Sequence, residues 1–280
     1  MDAAFRRASY LAGEGLATAT FLALRMGRPL LLEGEPGVGK TEVARTLSRI
    51  LDGPLIRLQC YEGIDASRAL YEWDYARQML YVRALQQGEI TTPEAVAQIY
   101  GPDFLLERPL LRAIRTSGPR VLLIDEIDRA DDEFEAFLLE ILDDYGVTVP
   151  EIGRFVAEEP PVVVMTSNRT RELHGALKRR CLYHWIDFPD ANREAEIIRL
   201  RAPEVGAELA HSVATAVKRL REVDLIKLPG AAEAIDWAKA LALLGAGAAA
   251  GPAGLATLGW VIKSHEDETR ARAVVEAFAS

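Results

Sequence analysis

The chain has 280 residues, more than the roughly 100 to 200 that one domain usually holds, so a large domain with a smaller companion is expected. Apolar residues make up 49% and charged residues 27%, a globular composition that excludes wholesale disorder. Against 42 acidic side chains stand 33 basic ones, and the net charge of −9 argues against a nucleic-acid coat or an anionic membrane surface, although a local basic patch can sit inside an acidic average.

The start, residues 1 to 7, lacks the apolar core of a signal peptide, and Glu14 interrupts the small-residue stretch that follows, so export is not expected. Cys60 and Cys181 are too few and too distant for a disulfide framework, and His174, His184, His211 and His265 show no ligand spacing. A reducing cytoplasm fits, without metal-ligand clusters. From residue 9 to 26, Leu11, Leu16, Phe21, Leu22 and Leu24 recur at a rough helical period that stops at Gly27. An apolar run, Pro29 with Leu30, Leu31 and Leu32, then reads as a strand.

Directly after it stands Gly34-Glu35-Pro36-Gly37-Val38-Gly39-Lys40-Thr41, a complete G-x-x-x-x-G-K-[ST] phosphate loop. Glycines there allow close backbone approach, so that successive N–H groups and the positive end of the following helix face one concavity. Lys40 is placed to meet the β and γ phosphates, and the Thr41 hydroxyl to join a Mg²⁺ shell. Residues 42 to 51 continue as a helix and 55 to 58 as a second strand. Residues 69 to 81 hold Tyr71, Trp73, Tyr75 and Tyr81, an aromatic stripe that serves either as core or as a contact surface.

Residues 120 to 124 give a third strand, and Val121 to Ile124 run into Asp125 and Glu126. Two acids at the carboxyl end of a buried parallel strand can hold Mg²⁺ (Asp125) and orient or deprotonate an attacking water (Glu126); alone, such a pair also serves as a helix N-cap. Residues 145 to 159 alternate Val147, Val149 and Ile152 before Phe155. The fourth strand, 161 to 166, ends in Thr166-Ser167-Asn168, where Asn168 can bridge water and γ-phosphate or simply form a turn. Lys178-Arg179-Arg180 precedes a fifth strand at 183 to 188 and is either a solvated face or a functional display. Strands separated by helices indicate a mostly parallel sheet covered on both faces.

Beyond residue 190 the pattern is continuously helical, at 193 to 201, 207 to 220, 231 to 244, 255 to 264 and 269 to 278, which places a domain boundary near 190. Within it, residues 240 to 262 carry no charge, but the content of Ala and Gly and the central Pro252 favour two buried helical pieces around a turn over a bilayer span. No internal repeat is visible.

These pieces, in this order, resemble the AAA+ ATPases over essentially the whole chain. Leu30 to Thr41, Leu70-Tyr71-Glu72-Trp73, Leu122 to Ala130, Thr166 to Arg171 and Arg179-Arg180-Cys181-Leu182-Tyr183 look like the MoxR branch, more narrowly its CoxD-like subgroup associated with carbon monoxide dehydrogenase maturation. The resemblance implies an α/β P-loop NTPase fold of AAA+ type: a parallel five-stranded sheet sandwiched by helices in residues 1–190, with an N-terminal linker helix, and a small all-α lid in residues 191–280. It implies ATP and Mg²⁺ as cofactors, Lys40 and Thr41 as Walker A, Asp125 and Glu126 as Walker B, Asn168 as sensor 1, and Arg180, or secondly Arg179, as an arginine finger acting on a neighbour's ATP. A ring follows, usually a hexamer. The stretch 145 to 159 falls where MoxR relatives carry a hairpin, and 69 to 81 where they carry an insertion. One departure is plain: the lid arginine called sensor 2 is missing, its place reading Leu228-Pro229-Gly230-Ala231-Ala232-Glu233-Ala234.

The function this implies is an ATP-hydrolysing chaperone that remodels or matures a protein client, specifically metal-cofactor insertion into a molybdenum/copper-type dehydrogenase, with a von Willebrand factor A domain protein as partner. Two alternatives remain at this point. A nucleic-acid motor or loader would need Arg68, Arg77 and Arg83 to form a basic surface, against the acidic balance; a nucleotide-dependent scaffold has the missing sensor 2 arginine as its only hint.

Overall fold

The computed structural model describes residues 1–87 and 98–278. The chain forms two compact units, one of residues Ala19–Leu32 and Leu47–His184, the other of Met1–Thr18, Glu33–Thr46 and Trp185–Ser280. The first unit is organised by the five-stranded sheet, whose strands are β1 (Leu30–Glu33), β2 (Leu55–Gln59), β5 (Val121–Asp125), β8 (Val162–Ser167) and β9 (Leu182–Trp185), in the order β2-β5-β8-β1-β9. Every residue of β1 and β5 is buried, as expected of parallel strands covered on both faces.

Register fixes what meets at the carboxyl edge. β2 runs parallel to β5 from Leu55 opposite Val121 to Gln59 opposite Asp125, and β5 runs parallel to β8 from Val121 opposite Val162 to Ile124 opposite Met165. Leu31, Leu58, Leu110, Leu122, Ile124 and Met165 lie in the core of this unit. Its helices include α4 (Ala66–Leu70), α5 (Tyr75–Gln87), α6 (Pro109–Arg115), α7 (Asp132–Asp144) and α8 (Gly175–Arg180).

Two small antiparallel ladders complete the unit. β6 (Gly146–Val149) pairs with β7 (Gly153–Val156), the hairpin expected within 145 to 159, and Tyr145 enters it with a φ of 49°. β3 (Tyr71–Trp73) pairs with β4 (Leu105–Glu107), a pairing that periodicity did not reveal because each strand is only three residues long. The aromatic stripe divides: Trp73 is buried and stacks edge-on against Tyr71 and Tyr100 at 6.1 and 5.5 Å, whereas Tyr75 is 67% exposed.

The second unit buries Ile198, Val213, Val217, Trp237, Leu241 and Val275 among α9 (Ala191–Arg201), α10 (Ala207–Glu222), α11 (Ala231–Leu243) and α13 (Glu268–Ala277). Asp190 caps α9 by accepting from the Arg193 amide. A buried ion pair ties α9 to α10: Arg221 Nη1 and Nη2 donate to the two oxygens of Glu194 at 2.8 and 2.7 Å. Desolvation raises the Glu194 pKa, and its hydrogen bonds and charge contact with Arg221 oppose that rise.

Two helical expectations are corrected. Instead of one helix over 9 to 26, a short α1 (Asp2–Arg7) precedes irregular chain with Gly15 at a φ of 75°, and α2 (Leu16–Met26) starts only then. Instead of a helix over 255 to 264, the chain forms α12 (Pro252–Ala256) and a 3₁₀ turn, Leu258–Trp260. Gly254 packs so closely that an added Cβ would stand 1.8 Å from the Ala249 carbonyl oxygen, and the Thr257 hydroxyl turns back to the Ala253 carbonyl at 2.7 Å. No helix among the described residues is long and apolar enough to cross a membrane.

Candidate functional site

The phosphate loop is built from backbone. Gly34 is buried, and a Cβ there would lie 2.2 Å from the Ile186 carbonyl oxygen; Gly37, at a φ of 84°, lies against Gly230, whose Cα would be 2.7 Å from an added Cβ. Glu35 and Pro36 are exposed at the loop's crest, Val38 is buried beneath it, and Gly39 takes a φ of 94° before α3 (Lys40–Leu51) begins. The loop thus delivers its amides to the N-terminus of a 12-residue helix, where anions are favoured. Lys40 is buried, and its Nζ donates to the carbonyl oxygens of Gly34 at 2.7 Å and Glu35 at 2.8 Å, so the ammonium sits inside the loop's curve. Thr41, half-buried, opens the helix beside it.

The start of α11 touches this loop directly. Ala231 N donates to the Gly37 carbonyl oxygen at 3.0 Å, and Glu233 Oε2 would lie 2.8 Å from a Cβ on Gly230. The helix therefore meets the loop through main chain. Tyr10 is half-buried in the same unit; desolvation raises its pKa, Arg193 opposing and Glu42 reinforcing the shift.

The carboxylates at the end of β5 are built from side chains. Thr166 Oγ1 donates to Asp125 Oδ1 at 2.6 Å and accepts from the Glu126 amide at 2.9 Å, joining the two acids from the neighbouring strand. Arg57 Nε and Nη2 donate to Asp125 Oδ2 at 2.9 and 2.6 Å. Gln59 accepts from Arg57 Nη2 and passes its own Nε2 hydrogen to Glu126 Oε2 at 3.2 Å, while Arg129 lies 3.1 Å from the same oxygen. Glu126 adopts left-handed backbone, φ 55° and ψ 50°, a conformation that costs an ordinary residue about 1 to 3 kcal/mol and concentrates at functional sites. Its side chain is 33% exposed, Asp125's only 4%.

Asn168, half-buried, follows directly on the end of β8. The chain beyond it is pinned: Thr170 donates from N and Oγ1 to Asp128 Oδ2 at 2.8 and 2.7 Å, and buried Glu135 accepts from the His174 amide at 2.8 Å and from Arg171. Arg180, expected to point outward, is half-exposed and drawn back onto α7, donating to the Leu139 carbonyl at 2.8 Å and lying 3.4 Å from Asp143. Arg179 is exposed, and its carbonyl accepts from Arg28 Nη1 at 3.5 Å. Arg68 pairs with Asp65, and Arg77 donates to the Asp103 carbonyl and lies over Phe104, so two members of the proposed basic surface are engaged within the chain.

Mg²⁺ in phosphate-handling sites takes one or two carboxylates and fills its remaining positions with phosphate oxygens and water. Asp125, a hydrogen-bonded carboxylate, is a ligand of the type that demand requires. The described residues contain no group of three or more His, Cys, Asp or Glu able to hold a metal by themselves. Cys60 Sγ is no candidate nucleophile, since burial, followed by the charge of Asp125 and the nearby acids, pushes its thiol up to about 12.

The sequence names Lys40, Asp125, Glu126 and Asn168 as candidates; it does not single out Arg57, Gln59 and Arg129, which contact the two acids, and gives Thr166 no more than a place in a polar cluster. The only signal for Arg57 and Gln59 was their alternation in β2, which puts both on one face of the strand.

A five-stranded parallel sheet with a phosphate loop after β1 and acids at the end of β5 defines a P-loop nucleotide-binding protein of AAA+ type. More narrowly, the sequence profile of the AAA domain (dynein-related subfamily) matches residues 29–181, and the chain belongs to that family. An uncharacterized Staphylococcus saprophyticus protein is 25% identical over 182 residues, which are 63% of this chain and 62% of that protein. A Staphylococcus aureus relative is 26% identical over 180 residues, 62% of this chain and 61% of its own. The chain therefore spans less than two thirds of the length of the curated relatives it matches. Two mutant forms of Thermotoga maritima RuvB share the fold at TM-scores of 0.52 and 0.50, with 18% and 19% identity, over 95% of this chain and 75% of theirs.

Proposed function

We propose that the chain hydrolyses ATP and, as a MoxR-type ring of the CoxD-like subgroup, drives a change in a protein client. The observation that carries the ATP reading is the loop around Lys40, where glycine-enforced backbone curvature surrounds a buried ammonium at the start of a helix. Lys40 and the loop amides would bind and orient the phosphates. Bound Mg²⁺ would neutralise charge on the transferring phosphoryl group. Thr41 and Asp125 are its proposed holders, Glu126 the group that orients and deprotonates water, and Asn168 a polar contact to that water.

Arg180 is proposed as the finger that completes a neighbour's site, with Arg179 second; an arginine so supplied is worth about 10³ to 10⁵ in rate. Its hydrogen bond to Leu139 implies that ring assembly must draw it off α7. The ring is proposed to be hexameric and cytoplasmic, with residues 1–190 as nucleotide-binding domain and 191–280 as lid. Its client is proposed to be a metalloenzyme, with a von Willebrand factor A domain protein as partner; these assignments rest on the MoxR-like segments, Leu70 to Trp73 and Arg179 to Tyr183 among them.

Mixing tests the trans arrangement. Lys40→Ala and Arg180→Ala subunits, each nearly inactive alone, should regain phosphate release together, because one supplies the finger and the other the intact loop. No gain on mixing counts against a finger acting between subunits. Capture on tagged Glu126→Gln protein with ATP present, against a Lys40→Ala control, tests the client: a metalloenzyme subunit is expected, and replication or repair proteins released by nuclease would favour a nucleic-acid motor.

A further inference from the structure

Arg57 is a cation in contact with the carboxylate assigned to Mg²⁺, and no assigned role uses it. Its Nε and Nη2 both donate to Asp125 Oδ2, at 2.9 and 2.6 Å, while Thr166 occupies Oδ1 at 2.6 Å. Both oxygens of a carboxylate that is only 4% exposed are thus held in one orientation, and a full positive charge stands against one of them. Parallel register accounts for the aim. Arg57 lies opposite Leu123 and Gln59 opposite Asp125, two positions apart on one face of β2, so the guanidinium reaches along the strand to Asp125 while Gln59 continues the chain of hydrogen bonds to Glu126.

We propose that Arg57 is a positioning residue for Asp125 that also competes with the divalent cation, setting the Mg²⁺ concentration at which nucleotide is tightly held. This rests on the ATP reading above. A dication drawn to Asp125 meets the guanidinium charge within a few ångströms, in a place where one partner is buried and water screens poorly. Because the Arg57 side chain is 47% exposed, it has a path into solvent when the cation arrives. Were the contact a structural ion pair alone, its half-exposed geometry would make it worth about 1 kcal/mol or less to folding and would leave metal dependence untouched.

The experiment is a titration of free Mg²⁺ into full-length protein holding a fluorescent ADP analogue, read by anisotropy, for wild type, Arg57→Gln, Arg57→Lys and Lys40→Ala. Removing the charge in Arg57→Gln is expected to lower the Mg²⁺ midpoint about tenfold while leaving Mg²⁺-free affinity unchanged. Arg57→Lys, which keeps the charge, should stay near wild type, and Arg57→Ser gives a second neutral variant if the glutamine form does not fold. A midpoint for both neutral variants equal to or above wild type overturns the inference while ADP binding itself stands. If wild type binds no analogue at any Mg²⁺ concentration, as expected only of Lys40→Ala, the ATP reading falls and this inference with it.

Discussion

The phosphate loop and the carboxylate network do comparable electrostatic work by different means. In the loop, eight consecutive residues shape main chain, and the one reactive side chain, Lys40, is held by carbonyls five and six positions away. In the network, Arg57, Gln59, Asp125, Glu126, Arg129 and Thr166 come from three strands and a turn, and hydrogen bonds span up to 68 positions in sequence. Backbone sites depend on glycine and on close approach; side-chain sites depend on strand register. Substitutions should therefore fail differently in the two places.

Lys40→Ala should have the largest effect, removing the buried ammonium from the loop's curve and lowering turnover by roughly 10² to 10³ or more. Nucleotide binding measured by calorimetry should fall with it, and a variant that still binds at wild-type strength would separate the loop from the phosphates. Gly230→Ala comes next. Its Cβ would stand 2.7 Å from Gly37 Cα and 2.8 Å from Glu233 Oε2, so main chain must move, at a cost of about 1 to 3 kcal/mol. Thermal melting should show that loss together with weaker nucleotide binding, whereas a melting loss alone would mean that the start of α11 does not support the loop.

Thr166→Val sharpens the other side of the comparison. The shape is kept, but the Glu126 amide and Asp125 Oδ1 each lose a partner, an expected loss of about 1 to 3 kcal/mol in denaturant unfolding. Serine at the same position should restore most of it. The smallest effect concerns the thiols. Burial pushes Cys60 and Cys181 up to about 12, so both stay protonated well above neutral pH, and native protein at pH 8 should resist iodoacetamide while unfolded protein is labelled at both. Labelling of Cys60 in the native state would mean that the end of β2 opens readily.

What could be read from sequence follows the same division. The loop is contiguous, so its spelling locates it; the acids at 125 and 126 are found because the apolar run before them marks a buried strand. Arg57 could not be found that way, because its partner is decided by which strand lies beside β2, and the sheet order β2-β5-β8-β1-β9 is a tertiary fact. The drawing back of Arg180 onto Leu139 and Asp143 is of the same kind. Helix ends misread at 9 and 255 have local causes, in Gly15 and in the close packing of Gly254, that periodicity does not weigh. The contact between Gly37 and Gly230 joins residues almost two hundred positions apart, and two glycines carry no pattern that would announce it.

The central claim is that Glu126 acts on water at a site that the loop loads with ATP. Phosphate release and ATP binding by Glu126→Gln, measured side by side with wild type, test it most directly. The account predicts retained binding, with release slowed by about 10² or more; release at the wild-type rate would contradict it.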